Sequence, residues 1–324
     1  MKRWLTVLLL ASAAAGGGCG TQRILLGTKG SYLFTATDAL ARLGEEVQLR
    51  VRVQGGDLLQ ARPGLVVHFH REGTLYKAAE TDDDGVASVS FTPQTAGDYR
   101  FAAEVSPVGL PDEPPSPLEL HVACRTEGTP IVIVDLDKTV VASGFQTVLI
   151  GDPSPMDGSV EVLQRLGKTH TIVYLTHRPD YFGPKSKAWV REKGYPPGPM
   201  LLSTIGGFLK GSGEYKAKML RELQRRFRRI EIGIGDKISD AQAYHDSGLK
   251  AFVILQVGED EDPAELEELI DALEGLPEAV QVVTGWDQIE SALFAGGAYP
   301  RSATVRRLQE RVQALKKQAE PPQK

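Results

Sequence analysis

Only two cysteines, Cys19 and Cys124, occur in the 324 residues, so no multi-disulfide framework can hold this fold together. Apart from His121, three residues before Cys124, neither has a Cys or His near it, too few ligands for a zinc site built around them. A basic excess is also missing. The 37 Lys and Arg stand against 42 Asp and Glu, a formal charge of -5, and nothing in that balance argues for a nucleic-acid partner. Beyond the N-terminus no run is long and apolar enough to cross a bilayer, and no internal repeat is visible. With 41% hydrophobic and 24% charged residues, the composition is that of a soluble globular protein. The length suffices for two domains, each with its own core.

What is present begins with a targeting segment, residues 1–19. Lys2 and Arg3 precede an apolar run from Trp4 to Ala15, and small residues lead on to Cys19, the order expected of an export signal. Small residues directly before a cysteine resemble a bacterial lipoprotein signal, in which Cys19 becomes the lipidated first residue. That resemblance implies an exported protein anchored at a membrane of the bacterial cell envelope. A plain secretory signal, giving a periplasmic or secreted protein, stays open. If Cys19 carries lipid, no disulfide remains within one molecule; if it does not, a Cys19–Cys124 pair is conceivable in an oxidising compartment.

Residues 20–42 read as a polar linker, and residues 43–124 as an all-β sandwich. EVQLRVRV (Glu46–Val53), LVVHFH (Leu65–His70) and VASVSF (Val86–Phe91) alternate apolar with polar, which predicts strands with one buried face. TDDDGVASVSFTP and AGDYRFAAEV resemble the bacterial immunoglobulin-like domains of secreted proteins. The aspartates Asp82 to Asp84, before Gly85, read as a hairpin turn whose side chains bond their own backbone rather than as a calcium site. His68 and His70 read as solvated surface. The Pro-rich PDEPPSP (Pro111–Pro117) predicts a loop before a last strand, LELHVA (Leu118–Ala123). No chemistry is assigned to this domain.

From 125 to 295 the pattern changes. Apolar runs beginning at Ile131, Thr169, Arg228 and Lys250 alternate with helical segments, which predicts an α/β domain: a doubly wound parallel sheet covered on both faces. The acidic stretch Glu259–Leu269 reads as the capped start of a surface helix. In the tail, 296–324, Val305, Leu308, Val312 and Leu315 predict a terminal helix that docks on the body. The basic segment after Lys216, with Arg221, Arg225, Arg228 and Arg229, reads chiefly as the solvated face of a helix that packs Leu220, Leu223, Phe227 and Ile230 inward. Contact with anionic head groups is its other reading.

One stretch carries the chemistry: IVIVDLDKTV, Ile131–Val140. Four β-branched aliphatics form a buried strand, which delivers Asp135 and Asp137 to its carboxyl end. Side chains two apart in extended chain point the same way, so two negative charges meet there, and a divalent cation with oxygen ligands would offset them. Three further elements follow at ends of predicted strands and in a helix: Thr176 after TIVYL, Lys216 in EYKAKML, and Asp236 with Asp240 in GIGDKISDAQAY.

Taken in order, DLDKT, YLT, a lysine and GDxxxD resemble the four motifs of the haloacid dehalogenase superfamily of phosphohydrolases. The likeness covers roughly Gly128 to Thr284. It implies a magnesium-dependent phosphomonoester hydrolase with Asp135 as the nucleophile that becomes an aspartyl-phosphate, and Asp137 as general acid and then base. It implies also that Thr176 bonds the phosphoryl oxygens, that Lys216 neutralises their charge, and that Asp135, Asp137 (through its carbonyl), Asp236 and Asp240 hold Mg2+ or support its ligands. Thr139 and Arg178 are implied in substrate binding. Lys218 lies two residues beyond Lys216, about 200° away on a helix, so only one can face the site; the apolar spacing of AKMLREL favours Lys216.

Only 39 positions separate Asp137 from Thr176, and 40 separate Thr176 from Lys216, which leaves room for no more than a minimal cap. An open site suits a large substrate. YLTHRP, WVREKGYPPGPMLLS (Trp189–Ser203) and the tyrosine of the fourth motif, Tyr244, resemble the catalytic domain of lipin-type and actin-patch-type phosphatidate phosphatases. The implied reaction is phosphatidate to diacylglycerol at a membrane surface. Related domains of lipid-transfer proteins have lost the aspartates, whereas DxDxT is intact here. Two alternatives stay open: a phosphatase for soluble monoesters or phosphoproteins, and a non-catalytic surface lipoprotein that recognises a phosphorylated group.

Overall fold

The computed structural model describes residues 32–56, 59–108, 110, 113–143, 152–204, 212–258 and 261–319; Cys19 and the expected signal lie outside them. The chain forms two compact units. The first is built on residues up to Thr126 together with Arg178–Trp189 and Pro199–Thr204, and the second on Glu127–His177, Val190–Gly198 and the residues from 205 on.

The first unit is sandwich-like, with strands β1 (Tyr32–Ala36), β2 (Ala39–Arg42), β3 (Val47–Gly55), β4 (Gln60–Ala61), β5 (Val66–Arg71), β6 (Thr74–Glu80), β7 (Val86–Phe91), β8 (Gly97–Val105) and β9 (Leu118–Arg125). One sheet runs β1-β3-β4 with β7 also on β3, and the other runs β2-β9-β8-β5-β6. Strand β3 shows why the chain folds this way: Val47, Leu49, Val51 and Val53 are buried while Gln48 and Arg50 are exposed, the period of a half-buried strand. These residues join Phe69, Phe91, Phe101 and Leu120 in one core. Phe91 meets Phe101 edge-on at 4.9 Å, a favoured aromatic geometry.

Strands β1 and β2 fall inside the stretch expected to be linker. β1 is buried along its whole length, so it lacks the alternation by which its neighbours are recognised, and β2 has only four residues. The acidic turn behaves as expected, with Asp82 Oδ1 accepting the Asp84 and Val86 amides at 3.0 and 2.9 Å.

The rest of the chain supplies β10 (Ile131–Val134), α1 (Ser159–Gly167), β11 (Thr171–Pro179), α2 (Gly183–Glu192), β12 (Met200–Ser203), α3 (Ser212–Gln224), β13 (Ile230–Gly235), α4 (Ile238–Asp246), β14 (Lys250–Ile254), α5 (Pro263–Glu274), β15 (Gln281–Val283), α6 (Trp286–Phe294) and α7 (Arg301–Ala319). The whole chain thus mixes α and β structure. In the second unit β10 pairs in parallel with β11 on one side and β13 on the other, and β14 and β15 continue in parallel beyond β13. All four residues of β10 are buried, which its unbroken aliphatic run anticipates. The strand order reverses between β10 and β13, and such a reversal opens a crevice at the carboxyl ends of the two strands.

Asp262 caps α5 by accepting the Ala264 amide, and α7 buries Val305, Leu308 and Val312, with Lys316 reaching Glu267 of α5 at 2.6 Å. Helix α3 turns Leu220 and Leu223 inward, followed by Phe227 and Ile230. All four basic residues of the stripe are exposed, but α3 ends at Gln224, so only Arg221 lies on the helix; Arg228 and Arg229 pair with Glu127 and Glu231 beyond it. Among the described residues no helix is long and apolar enough to cross a membrane.

Candidate functional site

The second unit brings four of the charged residues singled out in the sequence to one place. Asp135 follows β10 directly, and its amide donates to Ile234 O of β13 at 3.0 Å, which keeps the two strand ends in register. Asp236 follows β13, and Asp240 sits in the first turn of α4. One oxygen from each of Asp135, Asp236 and Asp240 lies within 4.8 Å of the others. Lys216, on α3, closes the group. Its Nζ donates to Asp135 Oδ2 at 2.7 Å and to Asp240 Oδ2 at 2.5 Å. Lys218 is exposed and lies 3.9 Å from Glu222, so the helix geometry turns Lys216, not Lys218, to the aspartates.

Three carboxylates around one ammonium leave the cluster short of positive charge, and its ionisation shows it. Burial and the Asp135 carboxylate push Asp236 up to about 7. Burial raises Asp240 as well, with Lys216 opposing. For Lys216 burial works the other way, yet Asp135, Tyr244 and Asp240 hold its pKa well above the usual lysine value. Asp236 Oδ1 is buried without a hydrogen-bond partner. An all-oxygen donor set with an unpartnered carboxylate oxygen fits a hard divalent cation such as Mg2+.

The remaining expected residues divide. Asp137 is half-buried and Thr139 fully buried, with the Thr139 hydroxyl unpartnered. Thr176 is buried near the carboxyl end of β11, whose register places it two residues beyond Tyr174, the partner of Val134. Arg178 falls in the first unit, where it is buried and donates to Ser186 Oγ at 2.8 Å.

Space for the cluster comes from GIG in β13. A Cβ on Gly233 would lie 2.3 Å from Tyr244 Cγ, and one on Gly235 3.2 Å from Asp240 Oδ2, so glycine lets α4 lie close on the strand. Tyr244 is fully buried with its hydroxyl unpartnered. The aspartate loop is shaped locally: Leu136 O accepts the amides of Thr139, Val140 and Val141 at 3.3, 3.0 and 2.9 Å, and Lys138 takes a left-handed φ of 51°. From outside, Trp286 Nε1 donates to Thr139 O at 2.7 Å and Tyr195 OH to Val140 O at 2.9 Å. Nothing in the local pattern signals these two aromatics, because 147 and 55 residues separate them from the carbonyls they hold.

Residues 132–258 match the family model for the LNS2 domain of PITM 1-3. The matched stretch contains the aspartates, Thr176 and Lys216. Membrane-associated phosphatidylinositol transfer protein 2 is 23% identical in mouse over 234 residues, 71% of this chain and 16% of that protein. The human protein of that name is 24% identical over 199 residues, 60% of this chain and 13% of that protein. The chain thus spans less than a fifth of the length of these curated relatives. Among solved structures, a CARDB domain from Pyrococcus furiosus aligns with 30% of this chain and 95% of its own, at 21% identity and a TM-score of 0.22. The titin M3 domain aligns with 30% of this chain and 99% of its own, at 9% identity and the same TM-score.

Proposed function

We propose that the second unit is a haloacid dehalogenase-like phosphatase with a doubly wound sheet and a minimal cap, acting with Mg2+ on phosphatidate or a related phospholipid. The observation that carries the reading is the Asp135–Lys216–Asp240 contact beside Asp236: a carboxylate held next to a buried ammonium, where a phosphoryl group brings further negative charge. Phosphate monoesters resist attack because of that charge, and catalysis consists largely of positioning and neutralisation.

Asp135 attacks phosphorus, and the ester oxygen leaves with a proton from Asp137; Asp137 then takes a proton from the water that opens the aspartyl-phosphate. Lys216 offsets the charge shared by nucleophile and phosphoryl group, while the hydroxyls of Thr139 and Thr176 supply donors to its oxygens. Asp135, the Asp137 carbonyl and Asp236 would hold the cation, and Asp240, already engaged by Lys216, orients the lysine and would support them. When bound there, the cation would supply charge neutralisation to the phosphoryl oxygens. Lipidation of Cys19 on an exported chain would put this site at a membrane, and no nucleic acid is expected as partner.

A second reading is favoured by the relatives' names, which are those of transfer proteins: the unit recognises a phospholipid without hydrolysing it. Phosphate release from phosphatidate in mixed micelles, with magnesium and with chelator, tests both. Release that needs magnesium and vanishes in Asp135→Asn supports the lipid phosphatase. Release only from a soluble aryl phosphate keeps the chemistry and discards the lipid, and silence on both favours recognition alone.

A further inference from the structure

The loop from Asp135 to Val141 is held both by its own hydrogen bonds and by donors from outside it. Its inner side converges on a single acceptor, Leu136 O, and that tight winding forces Lys138 to a φ of 51°, a region a long side chain adopts only when its surroundings impose it. The winding also turns the carbonyls of Thr139 and Val140 away from the loop. Both residues are fully buried, so each carbonyl must find a donor in the interior or remain unsatisfied at a cost.

The donors come from elsewhere in the same unit. Trp286, the first residue of α6 and fully buried, donates its indole N–H to Thr139 O at 2.7 Å. Val140 O accepts the Met156 amide at 2.8 Å and also the Tyr195 hydroxyl at 2.9 Å. Because Tyr195 spends its proton on that carbonyl, the Ser159 hydroxyl, 2.6 Å away at the start of α1, must donate to Tyr195 in turn. A relay from Ser159 through Tyr195 thus grips one carbonyl, and Trp286 grips the one before it. Trp286 lies beyond the matched residues 132–258.

We propose that Trp286 and Tyr195 are positioning residues that clamp the Asp135–Val141 loop and so set where the two aspartates stand. The inference rests on the phosphatase reading for its catalytic consequence, not for the clamp itself. Trp286 acts the more strongly, because Val140 O keeps the Met156 amide when Tyr195 lets go. Neither residue touches the reacting atoms, so its loss shows in turnover rather than in substrate affinity.

The test uses the full chain with two conservative variants, Trp286→Phe and Tyr195→Phe, which keep a buried ring and delete one donor each. Hydrogen exchange of the peptide containing residues 135–141 is read alongside kcat and KM for phosphate release. Trp286→Phe is expected to exchange its loop amides at least about tenfold faster and to lower kcat by about tenfold to a hundredfold, with KM unchanged. Tyr195→Phe moves both the same way by less, and carries the test if the tryptophan variant fails to fold. Loop exchange equal to that of the parent in both variants would overturn the clamp. Faster exchange with unchanged kcat in an active parent would overturn its role in positioning. A parent inert on every phosphomonoester would sink the phosphatase reading, and the exchange rates would still decide the clamp.

Discussion

Lys216 Nζ stands 2.7 Å from Asp135 Oδ2, with the lysine side chain 0% and the aspartate 5% exposed. An ammonium removed from water to that degree persists only when carboxylates surround it, and Asp240 supplies the second at 2.5 Å. The arrangement holds Asp135 in a fixed direction and leaves Asp236 as the carboxylate with an unpartnered oxygen.

Replacing Lys216 with methionine therefore leaves two carboxylates facing one another in a dry interior. Loss of one partner from a buried pair costs about 3 kcal/mol or more, part of it recovered by proton uptake on the aspartates. Urea unfolding is expected to show that loss for Lys216→Met and no measurable change for Lys218→Met, whose lysine is exposed. Equal effects at the two positions would mean that the helix does not present Lys216 to the site.

Asp236 gives the site a pH dependence whose sign follows from its raised pKa. In the unfolded chain this carboxyl ionises near 3.8, and in the folded protein at about 7. Between those values the folded state binds the extra proton, so metal-free stability falls as pH rises from about 4 to about 7 and then levels. Mg2+ requires the ionised form, so its apparent affinity falls by up to about tenfold for each pH unit below 7. Thermal unfolding across that range, with and without magnesium, is expected to show the ion stabilising the protein at pH 8 and hardly at all at pH 5. A magnesium effect of the same size at both would remove Asp236 from the metal set.

The sequence made the strand ends legible and the supports illegible, for physical reasons. Asp135 and Asp236 directly follow aliphatic strands of a buried parallel sheet, Asp240 comes in the first turn of the next helix, and the choice between Lys216 and Lys218 reduces to helix geometry. β3, β5 and β7 declare themselves by alternation. β1 does not, because it is buried throughout and alternation reports only half-buried strands. Trp286 and Tyr195 contact the aspartate loop through single hydrogen bonds across long sequence separations, and no local period encodes such a contact. Arg178 followed its motif in sequence, yet in the fold it is buried with Ser186.

Gly233 is a direct test of how α4 is seated. An alanine Cβ there would stand 2.3 Å from Tyr244 Cγ and within 2.8 Å of its Cβ, atoms at the base of a side chain that cannot swing aside while α4 stays put. Overpacking of this kind costs about 1–3 kcal/mol. Because the shift would carry Asp240 on the same helix, Gly233→Ala is expected to weaken Mg2+ binding as well as lower the unfolding midpoint. Stability lost with metal affinity intact would show that the helix yields without moving its aspartate.

In the first unit, Asp38 is a heavily engaged buried carboxylate outside the site. Its Oδ1 accepts the His121 amide at 2.8 Å and Lys187 Nζ at 2.5 Å, and its Oδ2 accepts the Met200 amide at 2.9 Å. The residue lies just before β2, in a stretch the sequence presents as linker, yet it fastens β9 to residues 149 and 162 positions beyond itself. Asp38→Ala strips an acceptor from two backbone amides and leaves a largely buried ammonium, a loss of about 3–5 kcal/mol. Asp38→Asn keeps the shape and one acceptor oxygen, and is expected to lose less. Lys187→Met in the Asp38→Ala background should recover part of the deficit, since it withdraws the stranded charge. Additive losses in that double-mutant cycle would show that the pair is not coupled, and that the backbone amides alone account for the role of Asp38.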